Sequence, residues 1–178
     1  MRFLKNIFLV LLFFSACKND IKVINTIGNK NYLPVNSAKN VEIVYSDSAH
    51  VQMIVKAPQV DYYEGENPYQ EMPKGVEMYF YDTLMQVKSK LTANYAISYE
   101  KEKTMEAKND VVVVNEKNEQ LNTEHLVWDE KKAIIFSDKY VKINTGKDIL
   151  WGVGMESDER FDKWKIKHPK GSISVKED

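Results

Sequence analysis

The chain has 178 residues, room for one domain with appendages, and its 43 % hydrophobic content is enough for a true core. Its formal net charge is −1, with lysines and acids intermixed along most of its length, which removes the electrostatic case for nucleic acid. Cys17 is the only cysteine, so no internal disulfide and no cysteine-based zinc site can form; His50, His125 and His168 are scattered without metal-ligand spacing.

Arg2 and Lys5 precede an apolar run from Ile7 to Phe14, then Ser15–Ala16–Cys17. A charged head, a short apolar middle and a small-residue end form a secretory signal over residues 1–16. The apolar middle is too short for a spanning helix, which needs about 20 residues. Two small residues directly before the cysteine resemble a bacterial lipobox, with Phe14 where that pattern usually has leucine. Cys17 would then be the lipidated first residue of the mature protein; an ordinary cleaved signal and an uncleaved short anchor are the alternatives. Residues 17–39 are polar and asparagine-rich, and read as a tether.

From residue 40 the pattern is that of strands. Val41–Tyr45 and His50–Ala57 flank the turn-rich Ser46–Ala49 and predict a hairpin, with Val51, Met53, Val55 and Ala57 on one face. Pro58 is expected to stop pairing, and the breakers from Pro58 to Gly75 predict a loop or edge excursion lined by Tyr62, Tyr63 and Tyr69. Val76, Met78 and Phe80 alternate with polar-edged neighbours, and Leu91, Ala93, Tyr95, Ile97 and Tyr99 share one face. The stretch Leu91–Ile143 then matches itself when slid by 29 residues, pairing Ile97 with Leu126, Tyr99 with Trp128, Met105 with Ile134, Ala107 with Phe136 and Val112 with Val141. Short polar joins favour antiparallel neighbours. Gly152 and Gly154 predict a bulge, since no phosphate-loop continuation follows. Ser157–Asp158–Glu159 predicts a short helix start with Phe161 and Trp164 against the sheet. Ile173 and Val175 predict a last edge strand.

No paired carboxylates stand in an apolar setting, and no nucleophile elbow, zinc-protease motif or Walker loop is present. The pattern argues against an enzyme and implies no cofactor or metal. The chain offers an apolar strand interior instead: Met53, Met78, Phe80, Tyr95, Ile97, Tyr99, Met105, Val112, Leu126, Trp128, Ile134, Phe136 and Val141, completed by Val51, Val55, Leu91, Ala93, Ala107, Val114 and Ile143. If two sheets close on that set it is a core; if they splay, the first thirteen line a groove for acyl chains. Alternation does not choose between them.

Pro73–Glu77, Leu91–Ala96, Leu121–Glu124 with Leu126–Asp129, Ser137–Val141 and Gly152–Asp158, in that order and spacing, resemble the LptC family in its Bacteroidetes-type lipoprotein form. The resemblance covers roughly residues 40 to 170. It implies an all-β fold, an open antiparallel β-jellyroll of two facing sheets shared with LptA, here over residues 40–175. It implies a non-enzymatic periplasmic component of lipopolysaccharide export whose groove takes acyl chains. Its partners would be the inner-membrane permeases of the Lpt ABC transporter and the bridge protein LptA, the latter by strand-edge pairing. It would be membrane-anchored through its N-terminus, the inner membrane being the one the family implies. The alternative is a structural or assembly lipoprotein, a closed β-sandwich acting only through its edges.

Overall fold

In a computed structural model, which describes residues 33–174, every regular element is a strand, with no helix among the described residues. In chain order these are β1 (Asn36–Asp47), β2 (His50–Tyr63), β3 (Tyr69–Met72), β4 (Val76–Tyr81), β5 (Val87–Ala93) and β6 (Tyr95–Tyr99). They continue as β7 (Thr104–Asn115), β8 (Gln120–Asp129), β9 (Ile134–Asn144), β10 (Asp148–Asp158) and β11 (Trp164–Ser174). All pairings are antiparallel, in one 11-stranded sheet with β1 and β11 at its ends. Short polar hairpins join most neighbours, as antiparallel pairing permits.

A crease folds this sheet in two. β7 bends at Asn109 and Asp110, both left-handed at φ 65° and 55°, where its pairing with β8 shifts register. Asn and Asp tolerate that conformation better than other side chains. The β8–β9 ladder shifts between Thr123 and Val127, and the β9–β10 ladder between Val153 and Met155, at Gly154 with φ 74°. Asn40, at φ 52°, stands opposite Pro58 in the β1–β2 pair. The remaining strands break where these bend: β4 and β5 lie on one side of the crease, β3 and β6 on the other. Bulges of this kind bend strands and strengthen their twist.

Two arms result. The first holds β4 and β5 with the Val111–Asn115 end of β7 and the Gln120 end of β8. The second holds β3 and β6 with the Thr104–Lys108 end of β7 and the Asp129 end of β8. A straight strand as long as β8 would hold its ends roughly 30 Å apart, at about 3.3 Å per residue. Yet Phe80, on the first arm, lies 6.3 Å from Trp128, at the far end of β8 on the second. The arms therefore face each other and share one core, including Met53, Met78 and Leu91 from the first and Met72, Met105 and Leu126 from the second.

Several expectations change. Pro58 does not stop pairing: β2 runs through it to Tyr63, because Pro58 falls where β2 leaves β4 (Lys56 opposite Glu77) and joins β3 (Asp61 opposite Glu71). A missing N–H costs nothing between two partners. Part of the expected loop before Gly75 is β3, with Tyr63 stacked on Tyr69 at 4.6 Å. Ser157 caps no helix; it is buried within β10, and Glu159–Lys163 form a turn. β11 is one strand to Ser174 despite Pro169 and Gly171, which sit at its bulge opposite Gly152 and Trp151. The bulge expected at Gly152 and Gly154 is present. β1 begins at Asn36, inside the span read as tether. Cys17 and the signal sequence lie outside the described residues.

Candidate functional site: the interior between the arms

The repeat seen in the sequence is real in the structure, but its period is 30. Buried positions correspond as Met105 to Ile135, Ala107 to Ser137, Val111 to Val141 and Val113 to Ile143. In the preceding strands, Ala96 corresponds to Leu126 and Ser98 to Trp128. Strand parity makes a one-residue slip decisive, since it exchanges faces.

Of the thirteen residues read as lining the interior, Met53, Met78, Phe80, Met105, Leu126, Trp128 and Val141 are in the core. Ile97 is buried but stands apart from that core cluster, one position out of phase with the inward Ala96 and Ser98. Tyr95, Tyr99, Val112, Ile134 and Phe136 are half-exposed, alternating with buried neighbours on their strands. Among the companion positions, Val114 likewise gives way to Val113. Asn94 is the cause for β6: its N–H donates to the Asn109 carbonyl at 3.0 Å, breaking the alternation between Ala93 and Ala96, both buried. The Tyr95 hydroxyl donates to Glu71 at 2.7 Å, and burial with that carboxylate pushes the phenol well above its usual range. Phe136 lies under the Lys167 ammonium, 6.0 Å from its ring centre.

Five of the seven methionines, Met53, Met72, Met78, Met105 and Met155, are fully buried here. Unbranched, polarizable and rotamer-rich, methionine fills irregular space and repacks easily. Trp128 sits where the arms meet. Its ring is edge-on to Tyr45 of β1 at 5.6 Å and to Phe80 at 6.3 Å. Tyr45 is mostly buried, which raises its phenol pKa, partly offset by a hydrogen bond with Ser98 of the facing arm. Beside them a cleft of about 380 Å³ opens between Ile43, Tyr45, Ser98, Tyr99 and Trp128.

The β10–β11 turn was not legible as a functional element. Phe161 is fully buried, part of the core, with its backbone left-handed at φ 58°. Burying such a ring contributes about 1.5–3 kcal/mol, more than the roughly 1–2 kcal/mol that the conformation costs. The turn starts from the second arm and reaches the first. The Asn115 side-chain amide donates to the Phe161 carbonyl at 2.9 Å, and the Trp164 indole N–H donates to Glu119 at 3.1 Å. On its own side, the Trp128 indole N–H donates to Glu159 at 2.6 Å. Burial holds the Glu159 carboxyl above its usual range, partly countered by that bond. Only the acid–aromatic spacing of Glu159, Phe161 and Trp164 hinted at this.

Among the described residues no three His, Cys, Asp or Glu side chains gather as a metal site would need. The arrangement offers a buried apolar interior and two strand edges, the features of an antiparallel β-jellyroll. A profile of the family described as "Lipopolysaccharide-assembly, LptC-related" matches residues 7–169, and the chain belongs to that family. Its members are periplasmic, inner-membrane-associated components of lipopolysaccharide transport. A search of individually curated proteins finds no match.

Proposed function

We propose that this protein takes acyl chains of lipopolysaccharide between its two arms and hands them from the inner-membrane transporter to a periplasmic bridge. The observation that carries this reading is the methionine-rich interior between two facing arms. The methionines, set among branched valines, leucines and isoleucines, give that interior side chains that repack around chains of varied length. The edges of β1 and β11 suit strand addition by an inner-membrane permease and by LptA, because among the described residues each has one unpaired row of backbone groups. Cys17 would carry the lipid anchor, each buried methylene contributing about 0.8 kcal/mol to membrane attachment.

A photo-crosslinking amino acid at Met105, Leu126 or Trp128, in cells making lipopolysaccharide, should capture that lipid. The outward positions Phe136 and Lys131 serve as controls. Labelling confined to the controls would remove the groove from the reading. The contact of Trp128 with Phe80 and Tyr45 favours a second reading, a closed sandwich acting only through its edges; capture at the edges alone would select it.

A further inference from the structure

Among the described residues, Phe161 is the one core side chain supplied by a turn; the rest of the core stands on strands. That turn, Glu159–Lys163, is braced internally. The Phe161 N–H donates to the Asp158 carbonyl at 3.1 Å, and the Asp162 N–H donates to the Asp158 carboxylate at 2.8 Å. It can therefore move as one piece. Beyond the buried Phe161 ring, its polar hold on the first arm is narrow: the Asn115–Phe161 bond and, from the first residue of β11, the Trp164–Glu119 bond.

The receiving side is complete without it. Asn115 also donates to Glu119 at 2.8 Å and accepts the N–H groups of Lys117 and Glu119, so the β7–β8 hairpin keeps its shape when the turn leaves. Among the described residues β11, which follows the turn, pairs only with β10, and no outer strand covers it. Next to this contact is Ser89, opposite Asn115 in the β5–β7 ladder. Its hydroxyl is the one buried side-chain polar atom among the described residues with no partner. A buried polar group thus goes unsatisfied beside the place where the turn closes the arms. A side chain held in the left-handed region by its surroundings also marks a stored strain of the kind that switch segments release.

We propose that the β10–β11 turn is a gate. Phe161 occupies the place of an acyl segment, and the apolar chain of a lipid enters as the turn swings away from Asn115 and Glu119. This rests on the acyl-chain reading above and adds its regulation: the arms are shut by the protein's own side chain until a lipid displaces it. A site competent in only a fraction of molecules binds with its intrinsic affinity reduced by that fraction.

The test uses the full chain and cis-parinaric acid, a fluorescent 18-carbon fatty acid, read by energy transfer from tryptophan. Phe161→Gly removes the plug and suits the left-handed backbone. Trp164→Phe keeps the ring stacked near Phe161 but deletes the bond to Glu119, so a variant that folds is secured. Both should bind the probe more tightly than the parent, by roughly tenfold for Phe161→Gly, with faster association, while Lys131→Ala leaves binding unchanged. Parent and variants binding equally would overturn the gate and leave the acyl-chain reading standing. No binding by parent or either variant would overturn both.

Discussion

Gly152 is the position at which one added carbon should do most harm. A Cβ there would lie 2.6 Å from the Ile166 Cγ2 and 2.9 Å from the Pro169 Cα, and closer still to the His168 carbonyl oxygen. Two of these neighbours are backbone, so no rotamer change relieves the clash; β11 must move by about an ångström against β10. Overpacking a close contact typically costs 1–3 kcal/mol, and a backbone obstacle places Gly152→Ala at the upper end, about 3 kcal/mol. Two other glycines calibrate the figure. The nearest atoms to a Cβ at Gly171 belong to the Trp151 ring, its Cζ2 at 2.5 Å, and that side chain can turn away; about 1 kcal/mol is expected for Gly171→Ala. Gly146→Ala meets nothing within 4 Å but must hold φ 83°, again about 1 kcal/mol. Urea unfolding followed by tryptophan fluorescence gives the differences, and hydrogen exchange locates them. Amides of β11 should lose protection first in Gly152→Ala, since β11 has one partner strand. A Gly152→Ala protein as stable as Gly146→Ala would refute the close approach of β10 and β11 and the bulge that produces it.

Two further outcomes follow from buried polar groups. Glu159→Gln keeps an acceptor for the Trp128 indole but removes a carboxylate that burial disfavours. The folded protein binds that proton more tightly than the unfolded chain, so the parent loses stability as pH rises from the ordinary glutamate range through the raised value, and is level beyond it. Arg160 opposes this shift, while Glu130 and Asp158 add to it. The substitution should therefore raise the melting temperature at pH 7, by a degree or two given solvent screening, and have no effect near pH 4; a lower melting temperature at pH 7 would mean the charged bond to Trp128 dominates. Ser89→Ala deletes the unpartnered hydroxyl and should stabilise the fold by about 1 kcal/mol in urea unfolding. A loss of that size would instead reveal a partner for the hydroxyl.

The strand character of nearly every segment was legible, because alternation and breakers survive in the sequence. The facing of the strands was less so, and one cause accounts for most of the difference. Sliding by 29 aligns large apolar residues with each other, Tyr99 with Trp128 and Met105 with Ile134. The structural period of 30 aligns Ser98 with Trp128 and Ala107 with Ser137. Ser98 is small where Tyr45 crosses toward it from the other arm, and a single sequence does not show that a small residue's partner is a large one far away. Pro58 misled for a similar reason: a proline stops a strand only if its nitrogen needs a partner, and the crease leaves it none. The Phe161 turn was hidden because two acids after a serine are as good a helix start as a strand end. Only the contacts to Asn115 and Glu119, more than forty residues away in the chain, distinguish them.

The five buried methionines have a chemical consequence beyond packing. A thioether shielded from solvent resists peroxide, and one that is uncovered becomes a sulfoxide, gaining about 16 Da. Met72, Met105 and Met155 are fully buried, whereas Met85 on the β4–β5 hairpin is exposed and serves as an internal reference. The molecule thus carries its own record of how often its interior is uncovered, readable residue by residue by mass spectrometry after a brief oxidant pulse in living cells. The same chemistry makes it vulnerable: a sulfoxide at Met72 or Met155 is too polar for its buried place, so oxidation there would destabilise the core.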